Sequence, residues 1–276
     1  MYSAFPTILT TIAINILNKV GVDQSFVFAP IPILLSLADH PDAASNHIFN
    51  GIPSLNTTLL FEHANIIETQ SNKRPWYLPP RKESYLHRQY YSMDGPTNST
   101  KKKFEKYANR YEYRMFISLN LELNKYLSCR KKGPRMAKDN DFEVLEIRLN
   151  EDPLRFVAFL PTNESFLSEN LHKLDTTRFH DLLGKLDYMF IDFEIPYFEL
   201  KTRINLSPLL EIPSNATHEY EHNFPKLNTP GGGRDGFPKR SCETERYFFE
   251  LNRPFLFSVL NGTIPLVMGV FTGNNK

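Results

Sequence analysis

Between Glu211 and Arg246 the sequence turns to Asn, Pro, Gly and charge with hardly any aliphatic residues, and the side chains that could do chemistry gather there. His218 and His222 stand four apart, the spacing at which two imidazoles on one helix face hold a metal ion. The Asn and Pro around them do not support a helix and no third ligand accompanies the pair, so no metal site is expected. Gly231-Gly232-Gly233 has the glycines of a phosphate-binding loop, but neither an apolar strand before it nor Lys-Ser/Thr after it. It reads as a flexible tip, and the whole segment as an exposed loop. No Gly-x-Ser-x-Gly nucleophile turn occurs, and no pair of carboxylates is singled out by position. The expectation is a chain that is not an enzyme and holds no cofactor.

The composition bounds what carries this segment. With 276 residues, 41% of them apolar and 13% aromatic, the chain can bury a substantial core as one large domain or two small ones. Lys plus Arg (32) nearly cancels Asp plus Glu (31), so no global field recruits nucleic acid or an anionic membrane. Lys101-Lys102-Lys103 and Arg130-Lys131-Lys132 are followed closely by acidic residues and read as solvated faces. Cys129 and Cys242 are too few for a disulfide framework and too far apart for a metal-ligand pair.

At the N-terminus, Phe5, Ile8, Leu9, Ile12, Ile16, Leu17 and Val20 form one stripe of a helix ending at Gly21. No Lys or Arg precedes Lys19, and Thr10, Thr11 and Asn15 interrupt the apolar run, so neither a standard signal nor a transmembrane span is expected. Six Asn-x-Ser/Thr sequons, at Asn56, Asn98, Asn163, Asn205, Asn215 and Asn261, tilt the expected compartment towards the extracellular, with the cytoplasm as the alternative.

Further on, Ser25–Ala38 reads as a short strand and an apolar helix opened by proline. Pro75–Pro80 breaks any helix, and Ser84–Met93 and Lys101–Tyr111 read as two short ones. Phe142–Leu149 and Arg155–Leu160 read as strands, the second closed by Pro161. Leu167–Leu186 is expected to hold one or two helices, and Tyr188–Ile195 an alternating strand stopped by Pro196. Near the C-terminus two apolar runs, Phe255–Leu260 and Ile264–Phe271, flank Asn261-Gly262, which favours a tight hairpin with positive φ at both turn positions. Neither run alternates with polar residues, so both faces are expected to be covered.

Asn252-Arg253-Pro254-Phe255-Leu256-Phe257, preceded by Phe249 and followed by a strand, a turn and a short strand ending at Gly269, resembles the C-terminal signature of the serpins. Phe26-Val-Phe-Ala-Pro, Ala64-Asn65 with its apolar successors, the Leu160-Pro161 strand end and Pro196-Tyr197-Phe198 resemble serpin segments in the same order, over about two thirds of the chain. Two serines of the early pattern are replaced by Ala29 and Pro32, and the family's Asn-Ala-x-Tyr-Phe-x-Gly-x-Trp strand is not found. The resemblance implies an α+β fold, serpin-like, with mixed β-sheets and surrounding helices, lacking some family segments. It also implies a single domain over 1–276, monomeric, with an exposed bait-type loop at about 211–246.

In several serpins that inhibit trypsin-like proteases, the bait Arg-Ser bond lies fourteen residues before the proline of the signature. Counting back from Pro254 gives Arg240-Ser241, with Lys239 as a second basic candidate. The resemblance therefore implies a trypsin-like serine protease as partner, which cuts the loop, after which the loop inserts as a new strand in the main sheet. The hinge residues Leu227, Asn228, Thr229, Pro230, Gly231, Gly232 and Gly233 oppose that step. Pro230 has no N–H to give a central strand, each glycine adds roughly 0.5–1 kcal/mol of ordering entropy relative to Ala, and alternation counted back from Arg240 turns Asp235 towards the core. Three readings follow: an inhibitor acting through Arg240-Ser241, a non-inhibitory serpin-like binding protein, or an inactive truncated serpin gene product.

Overall fold

Sixteen residues, Phe5–Val20, form α1; of the predicted stripe, Phe5, Leu9, Ile12, Ile16 and Leu17 are buried, Ile8 is half-buried and Val20, at the helix end, is exposed. The helix stops where Gly21 takes φ +84°, its N–H bonding to the Leu17 carbonyl at 2.9 Å, the left-handed cap glycine makes cheaply. The computed structural model describes residues 5–31, 33–34, 112–120, 126–127, 134–149, 154–162, 167–189, 191–195, 198–205, 219–223, 227–228 and 247–273.

Most of the core is built on a seven-stranded antiparallel sheet. Its order is β1 (Phe26–Phe28), β14 (Ile264–Phe271), β13 (Phe255–Asn261), β6 (Leu154–Pro161), β5 (Phe142–Arg148), β4 (Arg135–Lys138) and β7 (Asp187–Tyr188). Every residue from Phe255 to Leu260 is buried, as the unbroken apolar run demands of a strand covered on both faces. Aromatic rings meet across this sheet, Phe156 stacking on Phe257 at 6.0 Å and Phe255 meeting Phe271 at 5.4 Å, and Phe159 of the sheet stacks on Phe179 of the helix Thr176–Gly184 at 4.8 Å. α1 lies against β14.

Two smaller sheets complete the described architecture. In one, β2 (Glu112–Asn120) lies between β9 (Phe198–Asn205), which is antiparallel to it, and β10 (Glu219–Asn223) and β11 (Leu227–Asn228), which are parallel to it. In the other, β12 (Tyr247–Glu250) runs parallel to β8 (Ile191–Glu194), which pairs β3 (Tyr126–Leu127) antiparallel. The α+β class with mixed sheets, expected from the sequence, is the observed one.

Three local expectations are corrected. Asn261 pairs with Ile264 as the end of β13, so the two turn residues are Gly262 and Thr263, one position later than predicted. Gly262 then supplies φ +61° at the first turn position, where both hairpin turn types require it. The predicted strand Tyr188–Ile195 divides, with β7 joining β4 and β8 joining β12 and β3. The resemblance to serpins also implies a short helix over Ile204–Leu210, but its first two residues, Ile204 and Asn205, finish β9. Leu167–Leu186 becomes two helices, α2 (Leu167–Leu171) and α3 (Thr176–Gly184), because Asp175 caps the second by accepting from the Arg178 N–H at 2.7 Å.

Candidate functional site

The segment singled out by composition leaves one sheet and enters another. Asn223 is level with Phe116 of β2, and Leu227 with Leu119. The outgoing chain thus advances four residues while β2 advances three, a one-residue slip of the kind a bulge produces, with Pro225, which cannot donate to a ladder, in the interval. Leu227 and Asn228 pair with Leu119 and Asn120, and the next described residue is Tyr247, which opens β12 level with Ile191. β9 occupies one edge of β2 from Glu112 to Leu119, so β10 and β11 share the other. Both edges of β2 are taken.

Where the segment returns, its support is firm. Phe249 and Leu251 are buried, and Phe255, Leu256 and Phe257 have no exposed surface. Arg253 donates from Nε and Nη2 to the Pro161 carbonyl at 3.1 and 2.6 Å, fastening the turn before β13 to the end of β6. Lys138 donates to Glu143 at 2.7 Å and reaches the Tyr247 hydroxyl at 3.5 Å. The hydrogen bond to Glu143 raises the Lys138 ammonium pKa, while burial, reinforced by Glu143, pushes the Tyr247 phenol up. Both groups keep their protons at neutral pH, so this corner carries an ammonium and a phenol.

A search of solved structures returns neighbours over nearly the whole chain. SRPN18 from Anopheles gambiae has a TM-score of 0.63 at 12% identity, covering 98% of this chain and 99% of its own. Mouse protein-Z dependent protease inhibitor scores 0.62 at 12% identity over 98% and 97%, and thyroxine-binding globulin in complex with thyroxine scores 0.62 at 10% over 98% and 99%. Other neighbours are described as serpins. The chain has the serpin fold. No family model and no curated protein matches the sequence.

Within this serpin fold the sequence-derived site residues are unevenly described. Arg240 and Ser241, and Thr229, Pro230, Gly231, Gly232 and Gly233, lie outside the described residues, as do Lys239, Pro32 and His218. Leu227 and Asn228 form β11, and the signature from Asn252 to Phe257 leads into β13. His222 belongs to a strand, β10, and not to a helix. Among the described residues no group of His, Cys, Asp and Glu is arranged to hold a metal ion, and no helix is long and apolar enough to cross a membrane.

Sequence reasoning missed β2, the strand on which the site depends. A signal was present: Tyr113, Met115, Ile117 and Leu119 alternate with Arg114, Phe116 and Ser118. It also missed the ion pairs that hold β4, β5 and β6 in register. Glu146, 1% exposed, accepts from Arg135 Nε at 2.8 Å and from Arg155 Nη1 at 2.5 Å, and Arg155 Nη2 also donates to the Gly262 carbonyl. A second network ties the β4–β5 turn to α3. Arg178 donates to Asp139 at 2.6 Å and to Asp141 at 2.6 Å, and Lys173 donates to Asp141 at 2.7 Å.

Proposed function

We propose that this serpin-fold chain is a single-domain, monomeric extracellular protein that presents Arg240-Ser241 to a trypsin-like serine protease and is engaged there without inserting its loop. The observation that carries this reading is the occupation of both edges of β2. A returning strand would have to part β10 and β11 from β2, breaking the ladder from Glu219 to Asn223 and at Leu227 and Asn228, or else add outside β10. Such a strand would also carry Pro230 without an N–H and Asp235 with an unpaired carboxylate, and each term opposes the step. Arg240 suits a protease whose specificity pocket holds an aspartate. A serpin-fold protein can also serve as a binding protein, as the likeness to thyroxine-binding globulin suggests, and that is the second reading.

Incubation of the purified chain with trypsin, followed by a denaturing gel and mass spectrometry, separates these outcomes. The expected result is cleaved chain alone, with the first cut at Lys239 or Arg240. A complex with the protease that survives the detergent would overturn the non-inserting mechanism. First cuts within residues 84–114 would overturn the loop assignment itself.

A further inference from the structure

Helix α3 is held to the rest of the fold along two flanks of different chemistry. At about 100° per residue, Thr176 and His180 fall about 40° apart on one flank and Arg178 stands about 160° from His180 on the other, with the buried Phe179, Leu182 and Leu183 between them. On the first flank the Thr176 hydroxyl meets that of Thr11 in α1 at 2.8 Å, and Thr11 in turn donates to the Thr7 carbonyl at 2.9 Å. On the second, Arg178 donates to Asp139 and Asp141 of the β4–β5 turn, each at 2.6 Å. Nine residues are too few to stay helical alone, so α3 depends on these attachments and on its buried side chains.

The two flanks answer differently to protons. His180 Nε2 is buried with no hydrogen-bond partner among the described residues, and the imidazole meets the Phe179 ring edge-on at 5.6 Å. α1 offers no carboxylate: its one titratable side chain is Lys19, an exposed cation. β4 brings Arg135 and Lys138, paired with Glu146 and Glu143, and β6, whose Phe159 stacks on Phe179, brings Arg155, also paired with Glu146. Asp181, next to His180 on α3, is exposed and offsets only part of the effect of burial. A proton on His180 therefore finds no acceptor in the closed seam, and a charge without a partner is driven towards water. The Arg178 flank resists acid by comparison. Against the effect of burial, Arg178 keeps the Asp139 carboxyl below its ordinary 3.8, and Lys173 with Arg178 does the same for Asp141.

We infer that the seam between α1 and α3 is an acid-opened hinge: protonation of His180 parts α3 from α1, while Arg178 keeps it moored to the β4–β5 turn. The hinge is independent of the reading of Arg240-Ser241. Opening brings Leu183, on the side of His180, into water, so the acid form presents apolar surface that the neutral form hides. An imidazole that is free to titrate near its ordinary 6.5 only when the seam is open raises the opening constant by at most about thirtyfold between pH 7.5 and pH 5.0.

Hydrogen exchange of the full chain at pH 7.5 and pH 5.0, with each amide rate divided by its intrinsic rate at that pH, tests the hinge. The expected result is that the amides of α3, and those of α1 around Thr11, lose protection about fivefold to thirtyfold at pH 5.0. The Asp141 and Phe142 amides of the β4–β5 turn, which donate to Asp139, are expected to keep theirs. His180→Gln is expected to abolish the loss. Should that variant melt early at neutral pH, His180→Phe serves, because it keeps a ring beside Phe179 and cannot titrate. A loss below about twofold in the wild-type chain overturns the inference, as does an equal loss in the histidine variant. An equal loss at the β4–β5 turn overturns it too, since α3 would then be leaving both flanks at once.

Discussion

The hairpin β13–β14 and strand β2 are both interior strands of their sheets, yet they are specified in different ways. In the hairpin, apolar residues are buried on both faces, so the sequence tolerates one placement only. β2 mixes Glu, Arg, Ser and Asn with apolar residues and is defined by its ladders to β9 and β10, which use backbone groups that every non-proline residue carries. Side-chain burial fixes position strongly. Backbone pairing leaves the choice of partner to the rest of the fold, and the bait-type segment departs from the sheet of the second kind.

The largest expected effect lies in the first kind of region. Glu146→Ala leaves two mostly buried guanidiniums, those of Arg135 and Arg155, without their shared carboxylate. Breaking a buried ion pair from one side costs about 3–5 kcal/mol. Urea unfolding of the variant is expected to show that loss, and a change under 1 kcal/mol would mean the network is solvated. Gly269→Ala comes next, because a Cβ there would meet the Phe26 carbonyl oxygen at 2.5 Å and the Phe257 ring at 2.7 Å. Overpacking of that sort costs about 3 kcal/mol, and the same titration measures it.

A smaller loss is expected where the two kinds of region touch. The buried Val27 N–H of β1 donates to the Thr202 hydroxyl of β9 at 2.7 Å, joining the large sheet to the sheet of β2. Thr202→Val keeps the shape and removes the acceptor, and an orphaned buried donor costs about 2 kcal/mol. Hydrogen exchange is expected to quicken in β9 and β2 more than in β13. Uniform quickening would show that the two sheets open as one unit.

What was legible in the sequence follows the same division. The helix ending at Gly21, the buried strand closed by Pro161 and the C-terminal hairpin were readable because apolar period and chain breakers agree there. The hairpin turn was misplaced by one residue because Asn-Gly is a strong local signal, whereas the ladder to β6 holds Asn261 level with Leu154. β2 was missed although its alternation could be read, since a strand lying between β9 and β10 is defined by partners distant in sequence. Arg135, Glu146 and Arg155 were invisible as a group for a related reason: their spacing means nothing until β4, β5 and β6 are paired.

Acid should weaken the large-sheet region in two steps. Burial lowers the His180 imidazole below its ordinary 6.5, with Asp181 partly opposing, and its buried Nε2 has no partner among the described residues. The unfolded chain therefore takes up this proton first, and stability falls as pH drops below about 6.5. Burial pushes the Asp139 carboxyl up, but hydrogen bonds from Arg178 and from the Asp141 and Phe142 N–H groups outweigh it and leave the group below 3.8. Lys173 and Arg178 hold Asp141 down as well. A second loss is thus expected below about pH 4, as carboxylates that are stabilised only in the folded state protonate. Melting temperature followed from pH 7 to pH 3 should show both steps, and His180→Gln should remove the first alone.

The smallest expected effect is the most informative about function. In a chain whose loop inserts, cleavage adds the loop as a new strand to the sheet it departs from and raises the melting temperature greatly. Here the first two hinge residues are already paired with Leu119 and Asn120, so the chain past Asn228 can enter beside β2 only by displacing its own β10 and β11. The ladder bonds gained would replace bonds lost, while Pro230 brings no N–H and the glycines Gly231, Gly232, Gly233 and Gly236 lose more entropy than alanines would. After cleavage at Arg240 the melting temperature is expected to stay within about 2 °C of the intact chain, a free-energy change below about 1 kcal/mol for a chain of this length. Differential scanning fluorimetry of intact and cut protein measures it directly. Alanines at Pro230, Gly231, Gly232 and Gly233 should leave the result unchanged, because they ease the incoming strand without freeing an edge of β2. A rise of about 20 °C in the cut wild-type chain would show that β10 does leave β2, and with it would return the inserting, inhibitory mechanism that the paired edges argue against.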